Sequence, residues 1–279
     1  QDIAFLFFQI YNSDKPILFI GFVGRFSHGK GKQLVFIPGL TFSGEIFKNQ
    51  LEYFSSEYRV IAIDPRGQGY SAKTVDGNDY LTHGRDVAGL IDALGLEDIV
   101  LIGWSTGNLD TWSYVQQFGK DKLRGVVTID MSPLPLSPDP KWWTEGTIEE
   151  LSQVATQVLT SSQGCREFFS EYATGVMIQH KMKPDELEYL LDISGRTPYW
   201  ICRQLFCDAV FSNYLETAKD VGATMPSLMF IAEHWQDIAK PFVEAQLPGY
   251  DTYVMGGHLM FYEYPEKWNR VLEDFLNKL

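Results

Sequence analysis

Short apolar segments rich in β-branched and aromatic residues alternate along most of this chain with stretches whose apolar residues recur every three or four positions. Few folds accommodate that alternation. A parallel crossover needs a helix between strands, and a strand covered on both faces has no polar side, so the pattern predicts a mostly parallel sheet with helices on both faces. The predicted buried strands are Leu34–Ile37, Arg59–Ile63, Ile99–Ile102, Val126–Ile129, Leu228–Ala232 and Thr252–Met255. Two earlier runs, Ile3–Tyr11 and Ile17–Val23, joined by Asn12-Ser13-Asp14-Lys15-Pro16, predict an antiparallel hairpin at one edge. Amphipathic spacing predicts helices through Ile46, Phe47, Leu51 and Phe54, through Val87, Leu90, Ile91 and Leu94, and from Pro265 to the end, where Trp268, Val271, Leu272 and Phe275 share a face.

The rhythm breaks between Ser132 and Pro226, where helical spacing continues without a convincing strand. Thr147-Ile148-Glu149-Glu150 is a capping box, and Pro184 and Pro198 stand where a first helical residue would. The organisation expected is a core of residues 1–131 and 227–279 with a helical cap, 132–226, inserted after the sixth strand. The cap is rich in aromatics, among them Phe168, Phe169, Tyr172, Tyr189 and Phe206. Trp142, Trp143 and Trp200 of this segment, with Trp104 of the core, are expected to line a pocket for an apolar or aromatic substrate group.

Composition narrows the function. With 45 % hydrophobic residues in 279, the chain can build a sizeable core, and its net charge of −13 opposes binding to nucleic acid or anionic lipid, which needs clustered Lys and Arg. No apolar run approaches the roughly 20 residues that span a bilayer. Cys165, Cys202 and Cys207 show no CxxC spacing, so buried free thiols are expected, with no metal and no cofactor. The start, Gln1-Asp2, lacks a basic n-region and the sequence has no Asn-x-Ser/Thr sequon, so a cytoplasmic location is expected. The expected partner is a small apolar molecule; self-association as a homodimer is compatible with this composition.

The chemistry concentrates at Gly103-Trp104-Ser105-Thr106-Gly107, directly after one predicted strand and before the helical run Leu109–Phe118. A serine on so tight a strand-to-helix turn is held in a strained conformation, and small residues two positions to either side let the turn close. The following helix aims backbone N–H groups and its positive dipole end at a developing oxyanion. A serine hydroxyl needs a base, which must come from the same end of the sheet. His28 in a turn, His83 at a helix start, His180 beside Lys181 and His234 near a strand end have structural explanations. His258 follows the last predicted strand through Gly256-Gly257 and is the candidate base.

Four segments carry a resemblance: Phe36-Ile37-Pro38-Gly39, Asp64-Pro65-Arg66-Gly67-Gln68-Gly69-Tyr70-Ser71, the turn at Ser105, and Gly256-Gly257-His258 with Glu263-Tyr264-Pro265. In order and spacing the chain resembles the α/β-hydrolase superfamily over nearly its whole length. The resemblance implies an α/β-hydrolase fold with an eight-stranded sheet, Ser105 as nucleophile, His258 as base, and the backbone N–H groups of Leu40 and Thr106 as the oxyanion hole. Two departures stand out. Pro38-Gly39 replaces the usual His-Gly, and Ala232-Glu233-His234-Trp235-Gln236-Asp237 lacks the usual Gly-x-x-Asp. The acid is therefore expected at Asp130, after the sixth strand, where some superfamily members keep theirs, with Asp237 the alternative and Glu233 a remote third. Arg66 is expected in a structural ion pair.

Within that resemblance, serine at the nucleophile position argues against the branches that use aspartate there and favours ester or lactone hydrolysis through an acyl-enzyme. Perhydrolase or haloperoxidase activity, carbon–carbon bond hydrolysis, a cofactor-free dioxygenase of the quinolone type and a non-catalytic ligand receptor are the alternatives the scaffold allows.

Overall fold

A computed structural model describes residues 4–12 and 15–23 as backbone strands and residues 32–279 throughout; the turn residues Ser13 and Asp14, and His28, lie outside the described residues. The eight expected strands are present, divided between two sheets. β1 (Ala4–Asn12) and β2 (Lys15–Val23) pair antiparallel along their whole length, with Asn12 opposite Lys15. That hairpin ladders with itself and does not extend the main sheet, so the strands do not form the single eight-stranded sheet that the resemblance implies.

The main sheet has six strands: β3 (Gln33–Ile37), β4 (Arg59–Ala62), β5 (Ile99–Trp104), β6 (Leu123–Ile129), β7 (Ser227–Ile231) and β8 (Tyr250–Val254). All neighbours are parallel, in the order β4-β3-β5-β6-β7-β8. From β3 the chain steps outward to β4 and then returns to the other side of β3 for β5. At such a reversal the connections leave in opposite directions and open a crevice at the carboxyl ends of the two strands. Leu40 follows β3 and Ser105 follows β5, so the topology alone puts them on either side of it.

Both faces of the sheet are buried, as the unbroken apolar strands require. Phe36, Ile102 and Phe230 point to one core, where Trp268 of the closing helix Pro265–Leu276 stacks on Phe230 with ring centroids 4.9 Å apart. Val35, Leu101 and Met229 point to the other, where they meet Trp112 of the helix Gly107–Phe118. Each such side chain removed from water stabilises the fold by about 1.5–3 kcal/mol.

Between β6 and β7 the described residues form helices and no strand, including Ser162–Tyr172, Pro184–Ser194, Tyr199–Phe211 and Leu215–Thr224. The capping box forms: Thr147 Oγ1 accepts from Glu150 N–H at 3.3 Å and the Glu150 carboxylate accepts from Thr147 N–H at 2.9 Å. Pro184 opens its helix, while Pro198 precedes one rather than opening it. Cys165, Cys202 and Cys207 are free, the first two buried. Among the described residues no helix is long and apolar enough to cross a membrane.

Candidate active site

Ser105 follows β5 directly, with φ at +54°, a left-handed conformation that few non-glycine residues adopt. The turn is held by Ser105 N–H donating to Ile129 O at 2.8 Å and Asn108 N–H donating to Ser105 O at 2.9 Å. The flanking glycines are required by space. A Cβ on Gly103 would stand 2.5 Å from Asn108 Oδ1, and one on Gly107 2.3 Å from the carbonyl oxygen of Ile37. The helix Gly107–Phe118 can therefore press against the end of β3, which turns the serine side chain into the crevice.

Across the crevice, His258 Nδ1 lies 2.7 Å from Asp130 Oδ2, and both side chains are buried. Asp130 stands just past β6, also at positive φ (+50°), and its Oδ1 accepts from Ala232 N–H at 2.8 Å. The carboxylate is thus oriented by one neighbour strand while it faces the imidazole carried by another. His258 is set by Gly256, with φ at +60°, and by Gly257, where a Cβ would meet Met177 O at 2.5 Å. Its loop is clasped from the helical segment: His258 N–H donates to Val176 O at 3.1 Å and Leu259 N–H to Met177 O at 2.9 Å. Trp104 ties the serine turn to the histidine, donating from Nε1 to His258 O at 2.8 Å, with the two rings 5.5 Å apart. His258 Nε2 is sealed from solvent and has no hydrogen-bond partner among the described residues. With Nδ1 committed to Asp130, Nε2 is the nitrogen left to exchange a proton.

The alternative acids do not reach this histidine. Asp237 is exposed in the first turn of the helix Gln236–Gln246, and Glu233 accepts from Gln179 Nε2 at 2.9 Å at the surface. His83 pairs instead with Asp110 at 3.0 Å in the core, and His180 bridges Glu263 and Glu186 at the surface. Arg66 forms the expected structural pair, a two-pronged contact with Asp86 at 2.7 and 2.6 Å.

The turn after β3 approaches Ser105 closely enough that a Cβ on Gly39 would lie 2.8 Å from Ser105 Cβ. The Leu40 and Thr106 N–H groups have no protein acceptor among the described residues. Gln68, which the sequence reading left without a role, staples this turn: its Oε1 accepts from Thr41 N–H at 2.8 Å, and its Nε2 donates to Gly39 O at 3.2 Å and Phe42 O at 3.0 Å. Thr41 itself sits at φ +69°, a conformation those bonds hold in place.

Ser105 opens into a cavity of about 550 Å³, mostly apolar, between the sheet and the helical segment. Trp104 lines it as expected, but Trp142, Trp143 and Trp200 do not. Trp142 and Trp143 pack on Phe242 beneath the sheet-covering helices, with centroids 5.8 and 6.5 Å apart, and Trp200 lines a separate outer groove. The cavity wall is built from Phe168, Phe169, Tyr172, Phe206 and Trp235. The first three lie on one side of the helix Ser162–Tyr172, a spacing visible in the sequence whose direction was not. Glu145, not singled out by sequence, also lines the cavity. Burial lifts its carboxyl to about 7; Asp130 pushes the same way, while His258 and the Ser132 N–H oppose it.

A family model described as the alpha/beta hydrolase fold matches residues 32–204. A non-heme chloroperoxidase, CPO-A1, of Kitasatospora aureofaciens is 35 % identical over 106 residues, 38 % of each chain. A non-heme haloperoxidase of Rhodococcus erythropolis is 30 % identical over 148 residues, 53 % of each. The chain thus spans about half or less of the length of these curated relatives. The solved structure of a bromoperoxidase from Bacillus anthracis shares the fold, with a TM-score of 0.84 at 20 % identity over 98 % of this chain and all of the other.

Proposed function

The chain belongs to the α/β-hydrolase fold family, and on that premise we propose that it is a serine hydrolase that opens a carboxylic ester or lactone through an acyl-enzyme. The observation that carries this reading is the buried Asp130–His258 contact at 2.7 Å, at the end of the sheet where Ser105 is held at positive φ beside an apolar cavity. In the proposed reaction Ser105 Oγ attacks the carbonyl carbon while His258 Nε2 takes the hydroxyl proton. The carbonyl oxygen, now an oxyanion, is received by the N–H groups of Leu40 and Thr106. Collapse expels the alkoxide, which takes the proton from His258. Water then adds to the acyl-enzyme with His258 again as base, releasing the acid and restoring Ser105. Asp130 stabilises the imidazolium and keeps Nε2 turned to the reaction. The helical segment 132–226 acts as a cap whose aromatics take the apolar part of a small-molecule substrate.

The names of the two relatives favour one variation, in which hydrogen peroxide rather than water opens the acyl-enzyme and a peracid leaves. It uses the same residues up to the acyl-enzyme.

Hydrolysis of a 4-nitrophenyl ester tests the reading. Ser105→Ala is expected to lower the rate by at least about 10³-fold in a folded protein and to abolish labelling by an organophosphonate. A folded variant with near-full activity, or one that consumes molecular oxygen on a hydroxyquinolone as wild type does, overturns it, because oxygenation needs the His258–Asp130 pair but not the serine.

A further inference from the structure

The proposed reaction leaves one titratable group of the cavity without a task. Glu145 lies in the loop after β6, where its N–H donates to Pro135 O at 2.8 Å. Its Oε1 is sealed from solvent and has no hydrogen-bond partner among the described residues. The Ser132 N–H serves the carboxyl group, but an oxygen deprived of water and left without a donor is in an unfavourable state that an incoming donor relieves. The second acid of the wall, Glu150, is already engaged by Thr147 through N–H and Oγ1 at 2.9 and 2.8 Å. Among the described residues no lysine or arginine lines the cavity, and its wall carries six aromatic rings besides Trp104. A carboxylate beside aromatic faces attracts a cation through both its charge and the ring quadrupoles, whereas an anionic group in this part of the cavity would meet two like charges and no lysine or arginine side chain. Ionisation of Glu145 near pH 7 makes the carboxylate available in the range where aliphatic amines are still protonated.

We infer that this cavity takes an ester or lactone bearing a protonated amine and rejects carboxylate-bearing ones, with Glu145 as the group that recognises the ammonium. The inference rests on the cavity being the substrate site of the proposed hydrolase, but its test does not depend on turnover. Hexylammonium and hexanoate, matched in length and opposite in charge, are titrated into the wild-type protein at pH 8, with the heat of binding by calorimetry as the readout. Hexylammonium is expected to bind at least about tenfold more tightly than hexanoate, and Glu145→Gln to reduce that ratio by about tenfold. Equal or tighter binding of hexanoate to wild type overturns the inference without recourse to any variant; so does a ratio that survives in folded Glu145→Gln. Failure here leaves the hydrolase reading standing on its Ser105→Ala test, and failure there leaves this binding preference intact.

Discussion

Asp130 and His258, 128 residues apart in the chain, meet at 2.7 Å in a site that solvent barely reaches. The second oxygen of Asp130 is held by the Ala232 N–H, so the carboxylate cannot turn away from the imidazole without breaking a buried bond. Asp130→Asn replaces an acceptor-only group by an amide that can present a donor to Nδ1, which favours the wrong tautomer. The expected loss is about 10³ to 10⁴ in kcat on a 4-nitrophenyl ester. Asp237→Asn, at an exposed helix start, is expected to change kcat by less than about twofold. Steady-state kinetics of the two purified variants decide the matter, and the reverse order would move the acid to Asp237.

Gln68 holds the turn that carries Leu40, whose N–H is proposed above as an oxyanion donor. It makes three bonds to residues 39–42, so Gln68→Leu should loosen the turn and lower kcat by about tenfold, less than the 10²–10³ that follows outright loss of an oxyanion donor. A positioning role predicts that KM stays nearly constant while kcat falls, and that Gln68→Glu, which still accepts from Thr41 N–H, recovers part of the loss. A fall in stability with kcat unchanged in the folded protein would reduce Gln68 to a structural role.

Gly107→Ala places a methyl 2.3 Å from the Ile37 carbonyl oxygen, an approach that backbone on both sides must yield to. The expected cost is about 1–3 kcal/mol in urea unfolding, accompanied by loss of the proposed esterase activity as the Ser105 turn shifts. Gly119→Ala is the control for space: a Cβ there meets nothing within 4 Å, although φ at +80° still makes the change strained. Its cost should therefore appear in stability without the loss of activity.

Much of this site could be read in advance where local backbone geometry dictates residue type. Gly103, Gly107 and Gly257 are glycines because a Cβ would collide with a neighbour, and Gly256 because φ is positive. A strand, a tight turn and a helix around Ser105 thus leave a mark in five consecutive residues. The choice between Asp130 and Asp237 left no such mark, since it is made by the alignment of β6 with β7 across the sheet. The cavity wall was harder still. Trp142 and Trp143 are as apolar as Phe168 and Phe169, and only the direction in which each segment meets the sheet decides which pair faces Ser105. Glu145 lies in an irregular loop with no periodicity to report its burial, and Gln68 differs from a surface polar residue only in what surrounds it.

The raised affinity of Glu145 for its proton has a consequence for stability that can be measured without a substrate. Burial lifts the group from its ordinary 4.5 to about 7 in the folded protein. Between those values the unfolded chain releases the proton while the native state retains it, so the native state binds more protons and stability falls as pH rises. The loss begins near pH 4.5, is complete a little above 7 and then stays constant. Glu145→Gln keeps the shape and removes the titration, so the variant should gain on wild type by about 1–3 kcal/mol between pH 4.5 and pH 8, the lower end reflecting the half-buried position of the residue. Urea unfolding of both proteins at the two pH values gives that difference directly, because groups titrating identically in both cancel. A gap that does not change with pH would mean that Glu145 ionises in the fold as easily as in the unfolded chain. A gap that closes in favour of wild type at pH 8 would mean that its carboxylate finds a donor in the free protein, and would remove the physical ground for an ammonium partner.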